Sequence, residues 1–125
     1  MIDKTLLLRQ VHPTFIQHGE VGVVAFRPND ADHGHLSVYD GDLISPENSF
    51  RHRTDTLKKK SVGVLAVSFE ECASVKLPAV SSPMEDNEAH AHIDFTGYEK
   101  KDQRTKTKAL HEYALSRQWL FQPET

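Results

Sequence analysis

Four of the eight histidines in this 125-residue chain fall in two alternating pairs, His33 with His35 and His90 with His92. Alternate residues of an extended strand point to the same side. Ser37 and Tyr39 continue the first series, and Asp94 continues the second. Each stretch thus offers imidazole beside a hydroxyl or a carboxylate along one face. Imidazole exchanges protons near neutral pH, and a neighbouring carboxylate can orient the ring. His35, Ser37, Tyr39, His90, His92 and Asp94 are therefore the candidate catalytic residues. The same alternation also describes the wet face of an ordinary antiparallel sheet, where such residues simply meet solvent. The paired histidines, with Asp94 or Asp32, offer nitrogen and oxygen at spacings that zinc uses. No HExxH motif or Cys/His framework accompanies them and Cys72 stands alone, so the sequence assigns neither a metal nor a cofactor.

These residues need strands to hold them. His35–Asp40 is expected as a strand with Leu36 and Val38 on one side and His35, Ser37 and Tyr39 on the other. His90–Phe95 alternates in the same way, with Ala91, Ile93 and Phe95 opposite His90, His92 and Asp94. Val21–Arg27 is β-branched and apolar, is closed by Pro28, and reads as a strand pairing antiparallel with His35–Asp40. Ser61–Phe69 is apolar on both sides and reads as a central strand. Leu6-Leu7-Leu8 is compatible with a strand or a helical turn.

Ser45-Pro46-Glu47 is a helix start. Serine accepts from an exposed N–H, proline sits where its missing N–H costs nothing, and glutamate suits the positive end of the dipole. That helix is expected to run to about Lys59, and a second from about Glu99 to Arg117 with Leu110, Tyr113 and Ala114 on its buried stripe. Glu70–Ala73 reads as a loop or helical turn, 77–86 as an irregular connection, and Trp119-Leu120-Phe121 as a docked tail or edge strand. The expected class is α+β: a single domain over residues 1–125, with a mostly antiparallel sheet of four to five strands and two helices in the order β-β-α-β-β-α.

Composition narrows the setting. An apolar fraction of 38% with 26% charge suits one soluble core and argues against disorder. The net charge of -3 supplies no global field toward nucleic acid or membrane. A single cysteine suits a reducing compartment. The N-terminal stretch is interrupted too early for a signal peptide, and no apolar run approaches the roughly 20 residues of a membrane helix. The expectation is a cytoplasmic protein without membrane contact.

His35-Leu36-Ser37-Val38 resembles the His-x-Ser/Thr-apolar motif of the two-histidine phosphoesterases. The resemblance implies a second motif facing the first, with each histidine acting on the phosphoester and each hydroxyl holding the phosphate. His92-Ile93-Asp94-Phe95 is the available second copy, and it carries Asp94 where the family has a hydroxyl. A carboxylate there repels a phosphate. The order Arg27, then Ser37 or Tyr39, then Glu88 resembles that of ADP-ribosyltransferase-like folds. That resemblance implies an arginine holding NAD, middle residues shaping the nicotinamide pocket and a glutamate working on the ribose.

Two basic groups, Arg51 to Lys60 and Lys100 to Lys108, are broken by Asp55 and Asp102, which leaves nucleic acid a weak candidate partner. The acidic positions Asp30, Asp32, Asp40 and Asp42 do not follow EF-hand spacing and suit a basic partner surface instead. With Arg27 they form the candidate binding set. The leading expectation is a small accessory or interaction protein, immunity- or regulator-like, acting with a protein partner through Asn29–Asp42. Behind it stand a phosphoester- or RNA-directed enzyme on the His/Ser face, and then the NAD-binding reading.

Overall fold

The triplet Leu6-Leu7-Leu8 opens the strand on which the sheet is built. The computed structural model describes residues 1–29 and 33–124. Its strands are β1 (Leu6–Gln10), β2 (Ile16–Gln17), β3 (Glu20–Val21), β4 (His35–Asp40), β5 (Val64–Ser68), β6 (Ala79–Ser81) and β7 (His90–Asp94). Its helices are α1 (Pro46–Arg51), α2 (Phe69–Ser74) and α3 (Lys100–Arg117). Five strands form one antiparallel sheet in the order β5-β1-β4-β7-β6, and β2 with β3 makes a separate two-stranded ribbon. This is the expected α+β class, with more elements than the β-β-α-β-β-α order allowed.

Strand β1 alternates Leu7 and Leu8 between the two sides of the sheet, and both are buried. Leu7 joins the larger core with Leu36, Val38, Leu65, Ile93, Phe95 and Leu110. Leu8 joins a smaller core with Tyr39, Val64 and Ala66, covered by Phe50, Ile44 and Phe121. Strand β5 is buried along its whole length, as its apolar residues on both faces demand, yet it is the sheet's edge and not its centre. Leu120 and Phe121 cover that edge: Leu120 N–H donates to Val64 O, and Val64 N–H to Phe121 O. Covering an edge satisfies its backbone groups without another strand of the sheet.

The expected strand Val21–Arg27 is corrected. Glu20 and Val21 form the strand, paired with Gln17 and Ile16, and Val23–Phe26 is a 3-10 turn. Its apolar residues read as a strand, but the turn drives Ala25 and Phe26 into the core on the α3 side. Burial thus outweighs strand propensity. Strand β4 consequently pairs with β1 and β7 instead. Gly41 ends β4 where its N–H donates to Leu6 O at 2.7 Å, and a Cβ there would lie 2.6 Å from that carbonyl oxygen. Glycine is required by this close approach.

Helix α1 begins as read: Ser45 Oγ accepts from Asn48 N–H, with Pro46 in the first turn. It widens into a π-helical segment, His52–Thr56, and stops short of Lys59. No helix among the described residues is long and apolar enough to cross a membrane.

Arg117, on α3, donates to both Glu71 oxygens and to Ala66 O, joining α3, α2 and the edge of β5. Burial pushes the Glu71 carboxyl up, but the Arg117 and Ser68 hydrogen bonds outweigh it and hold the group below its ordinary value. A depressed carboxyl pKa adds stability above the unfolded value, and that stability is lost as pH falls through the folded value. Arg117→Ala is expected to cost about 1–3 kcal/mol at neutral pH. In urea titrations from pH 7 downward, the gap between parent and variant should close on the acid side of 4.5.

Candidate functional site

The pairing of β4 with β7 decides which polar side chains meet. His35 lies opposite Asp94, Ser37 opposite His92, and Tyr39 opposite His90. Paired residues share a sheet face, so the two polar series coincide on one side. Strand β6 extends the rows, with Val80 opposite His92. Leu36, Val38, Ala91 and Ile93 go to the other side and are buried in the larger core. That burial fixes the register, because a slip of one residue would turn both sets over.

The polar face divides into two parts. At one end, the Tyr39 ring is buried in the smaller core, and its hydroxyl lies 2.8 Å from His52 Nδ1. His52 Nε2 is 2.9 Å from the carbonyl oxygen of Asp86, which can only accept. The network therefore assigns the His52 proton to Nε2 and makes Tyr39 the donor to Nδ1. Burial pushes the Tyr39 hydroxyl up to about 12; nearby Arg53 opposes the shift and Asp86 adds to it. Tyr39 is a structural tie between the sheet and the π-helical segment.

At the other end, the His35 and His92 rings stack with centroids 4.0 Å apart and planes 17° from parallel. His35 Nε2 lies 3.9 Å from Asp94 Oδ1. Asp94 Oδ1 accepts from Thr96 N–H at 2.8 Å and from Thr96 Oγ1 at 2.6 Å. These bonds hold the Asp94 carboxyl below its usual range against partial burial, helped by His35 and His92. Burial and then the neighbouring His35 hold the His92 imidazole below its ordinary value, with Asp94 opposing. Ser82 Oγ lies 2.9 Å from His90 Nδ1 and 3.1 Å from His92 Nδ1. Ser37 is exposed and Val80 is 42% exposed, so this part of the face is open.

The candidate catalytic set thus separates into a cluster of His35, Ser37, His92 and Asp94, with His90 beside it on Ser82 and Tyr39 withdrawn into the core. Ser82, Thr96 and His52 were not singled out in the sequence. Thr96 was legible in principle, since aspartate commonly bonds the backbone two residues on. Ser82 lay in a segment read as irregular, and the Tyr39–His52 contact required tertiary structure.

Among the described candidate binding residues, Arg27 does not share a surface with Asp40 and Asp42. Asp40 is buried and its Oδ1 accepts from Asp42 N–H, while Asp42 Oδ2 accepts from Thr5 Oγ1. Asp30 and Asp32 lie outside the described residues. Arg27 lies across the sheet from Tyr39, where it lines a groove of about 1300 Å³ between α3 and residues 23–29. Glu88 is exposed beside the smaller core. Burial, and then Glu71, pushes the Cys72 thiol up to about 12, so it is no thiolate nucleophile at neutral pH.

The groove is lined by the apolar residues Phe15, Val24, Pro28 and Leu115 and by the charged residues Arg27, Lys100, Arg104, Lys108 and Glu112. Thr107 lines it too. Its Oγ1 is buried and, among the described residues, has no hydrogen-bond partner. No known family model matches the chain, and no curated protein or solved structure matches it.

Tyr39 supplies the test of the buried network. Tyr39→Phe leaves His52 Nδ1 without its donor and is expected to cost about 1–2 kcal/mol in chemical denaturation. A raised tyrosine pKa disfavours the charged form in the fold, so stability is lost as pH climbs from the ordinary 10.0 toward about 12. Absorbance titration should show one of the three tyrosines ionising last, and that step should be missing in Tyr39→Phe.

Proposed function

We propose that this chain is a small binding protein that holds an acidic, amphipathic segment of a partner protein in the groove along α3. The observation that carries the reading is the combination of apolar and basic side chains lining one groove. Val23 and Leu115 are 43% and 42% exposed at the groove and offer apolar contact to one side of a partner segment. Basic lining residues steer an acidic partner and disfavour a basic one. We place the contact surface on the groove and not on the acidic loop Asn29–Asp42, because the Asp40 carboxylate accepts from Asp42 N–H and the Asp42 carboxylate from Thr5 Oγ1. The lone buried cysteine supports a reducing, cytoplasmic setting.

A phosphoester- or RNA-directed enzyme on the His35/Ser37/His92 face is the second reading, supported by the β4–β7 register. It ranks second for two reasons. Rings 4.0 Å apart leave no room for a phosphate between them, and Asp94 would repel one. Cleavage of a cyclic phosphodiester or RNA that disappears in His35→Ala and His92→Ala would promote it.

A photo-crosslinking residue at Leu115, with a second at Val80 on the opposite face as control, tests the first reading in the native host. The expected result is a discrete protein adduct from Leu115 only, reduced about 10-fold or more by Arg104→Glu with Lys108→Glu. An adduct insensitive to charge reversal, one removed by nuclease, or none at all would overturn it.

A further inference from the structure

We propose that His35, His92 and Asp94 form a binding site for one divalent cation of the zinc class. The inference is independent of the groove. One ligand atom from each of the three residues lies within 4.8 Å of the others. His92 and Asp94 are alternate residues of β7 on the same face, and His35 faces Asp94 from β4. Two imidazole nitrogens and a carboxylate oxygen are a donor set suited to zinc, and three protein ligands leave a position open for water or an anion.

The distances are close to those of a bound cation. Tetrahedral coordination with bonds of roughly 2.0–2.1 Å places ligand atoms about 3.4 Å apart. The three ligand atoms lie within 4.8 Å of one another, so approaches of up to about 1.4 Å bring them to that spacing. The stacked rings must turn toward each other, and rotation about the bond to an imidazole is broad and soft.

A built cation site also holds its ligands from behind. Thr96 fixes Asp94 through two hydrogen bonds to Oδ1, which leaves Oδ2 for a cation. Ser82 Oγ lies at 3.1 Å from His92 Nδ1. A hydroxyl oxygen accepts two hydrogen bonds, so it can take Nδ1–H from both His90 and His92 and leave His92 Nε2 as the ligand atom. A cation also accounts for the carboxylate at position 94 of an otherwise imidazole and hydroxyl face. Asp94 becomes a ligand, on a face where Ser37 is exposed.

The full-length protein, purified without an affinity tag and stripped with chelator, is titrated with Zn²⁺ and Co²⁺ alone. One equivalent of Zn²⁺ should bind, and Co²⁺ should develop the intense visible bands of a four- or five-coordinate site. Thr96→Val should weaken Zn²⁺ about 10-fold, and His92→Ala and Asp94→Asn about 100-fold or more. His18→Ala, at an exposed position away from the cluster, should leave binding unchanged. Cobalt that keeps the weak spectrum of its aqua ion would overturn the site, as would Zn²⁺ affinity unmoved by His92→Ala and by Thr96→Val. Should His92→Ala fail to fold, the parent cobalt spectrum and the Thr96→Val titration decide the question alone.

Discussion

The antiparallel register of β4 against β7 is the constraint on which the rest depends. It places Leu36 beside Ile93 and Val38 beside Ala91, all buried on the α3 side of the sheet. The same pairing puts His35 opposite Asp94 and Ser37 opposite His92 on the other side. Apolar burial therefore assembles the polar cluster: no polar interaction needs to be strong for the histidines to meet. Shifting β4 by one residue would turn Leu36 and Val38 out of the core, and shifting β7 would turn out Ala91 and Ile93, at roughly 1.5–3 kcal/mol for each large one.

The two faces of the sheet are treated differently. On one, α3 and the 3-10 turn Val23–Phe26 close a continuous core, and the basic groove forms where they diverge. On the other, Phe50, Ile44 and Phe121 cover only the part over β5, β1 and the end of β4. Tyr39 marks the boundary, because its ring belongs to that smaller core and its hydroxyl to the polar network through His52. Beyond it, β7 and β6 carry an open surface where His35 and His92 stack, held from beneath by Ser82 and Thr96. The two candidate surfaces, groove and histidine cluster, are thus on opposite sides of one sheet.

Strands with a single buried face were legible in the sequence. β4 and β7 alternate cleanly, so their existence, length and face assignment could all be read, and the coincidence of their polar series followed from one unknown, their adjacency. The start of α1 was legible because Ser45 and Pro46 act within a single turn. Elements buried on both sides were harder. β1 is buried at Leu7 and Leu8 and shows no alternation, so its place between β5 and β4 was hidden. β5 looked central because it is buried throughout, yet a C-terminal segment and an arginine replace the missing neighbour strand. Val21–Arg27 carried strand-like residues into a 3-10 turn, since Ala25 and Phe26 gain more from core burial than from pairing. Ser82 reached the site from a segment with no periodic signal at all.

The most direct measurement of this account is the contact between the two rings across β4 and β7. Nuclear Overhauser spectra of the metal-free protein, with the histidine ring protons assigned, report it without any substitution. The account gives a cross-peak between His35 and His92 ring protons, as centroids 4.0 Å apart require. Cross-peaks from the His92 ring to Leu36 or Val38 methyls, with none to His35, would mean that the register is shifted by one residue and that neither the cluster nor the cation site exists.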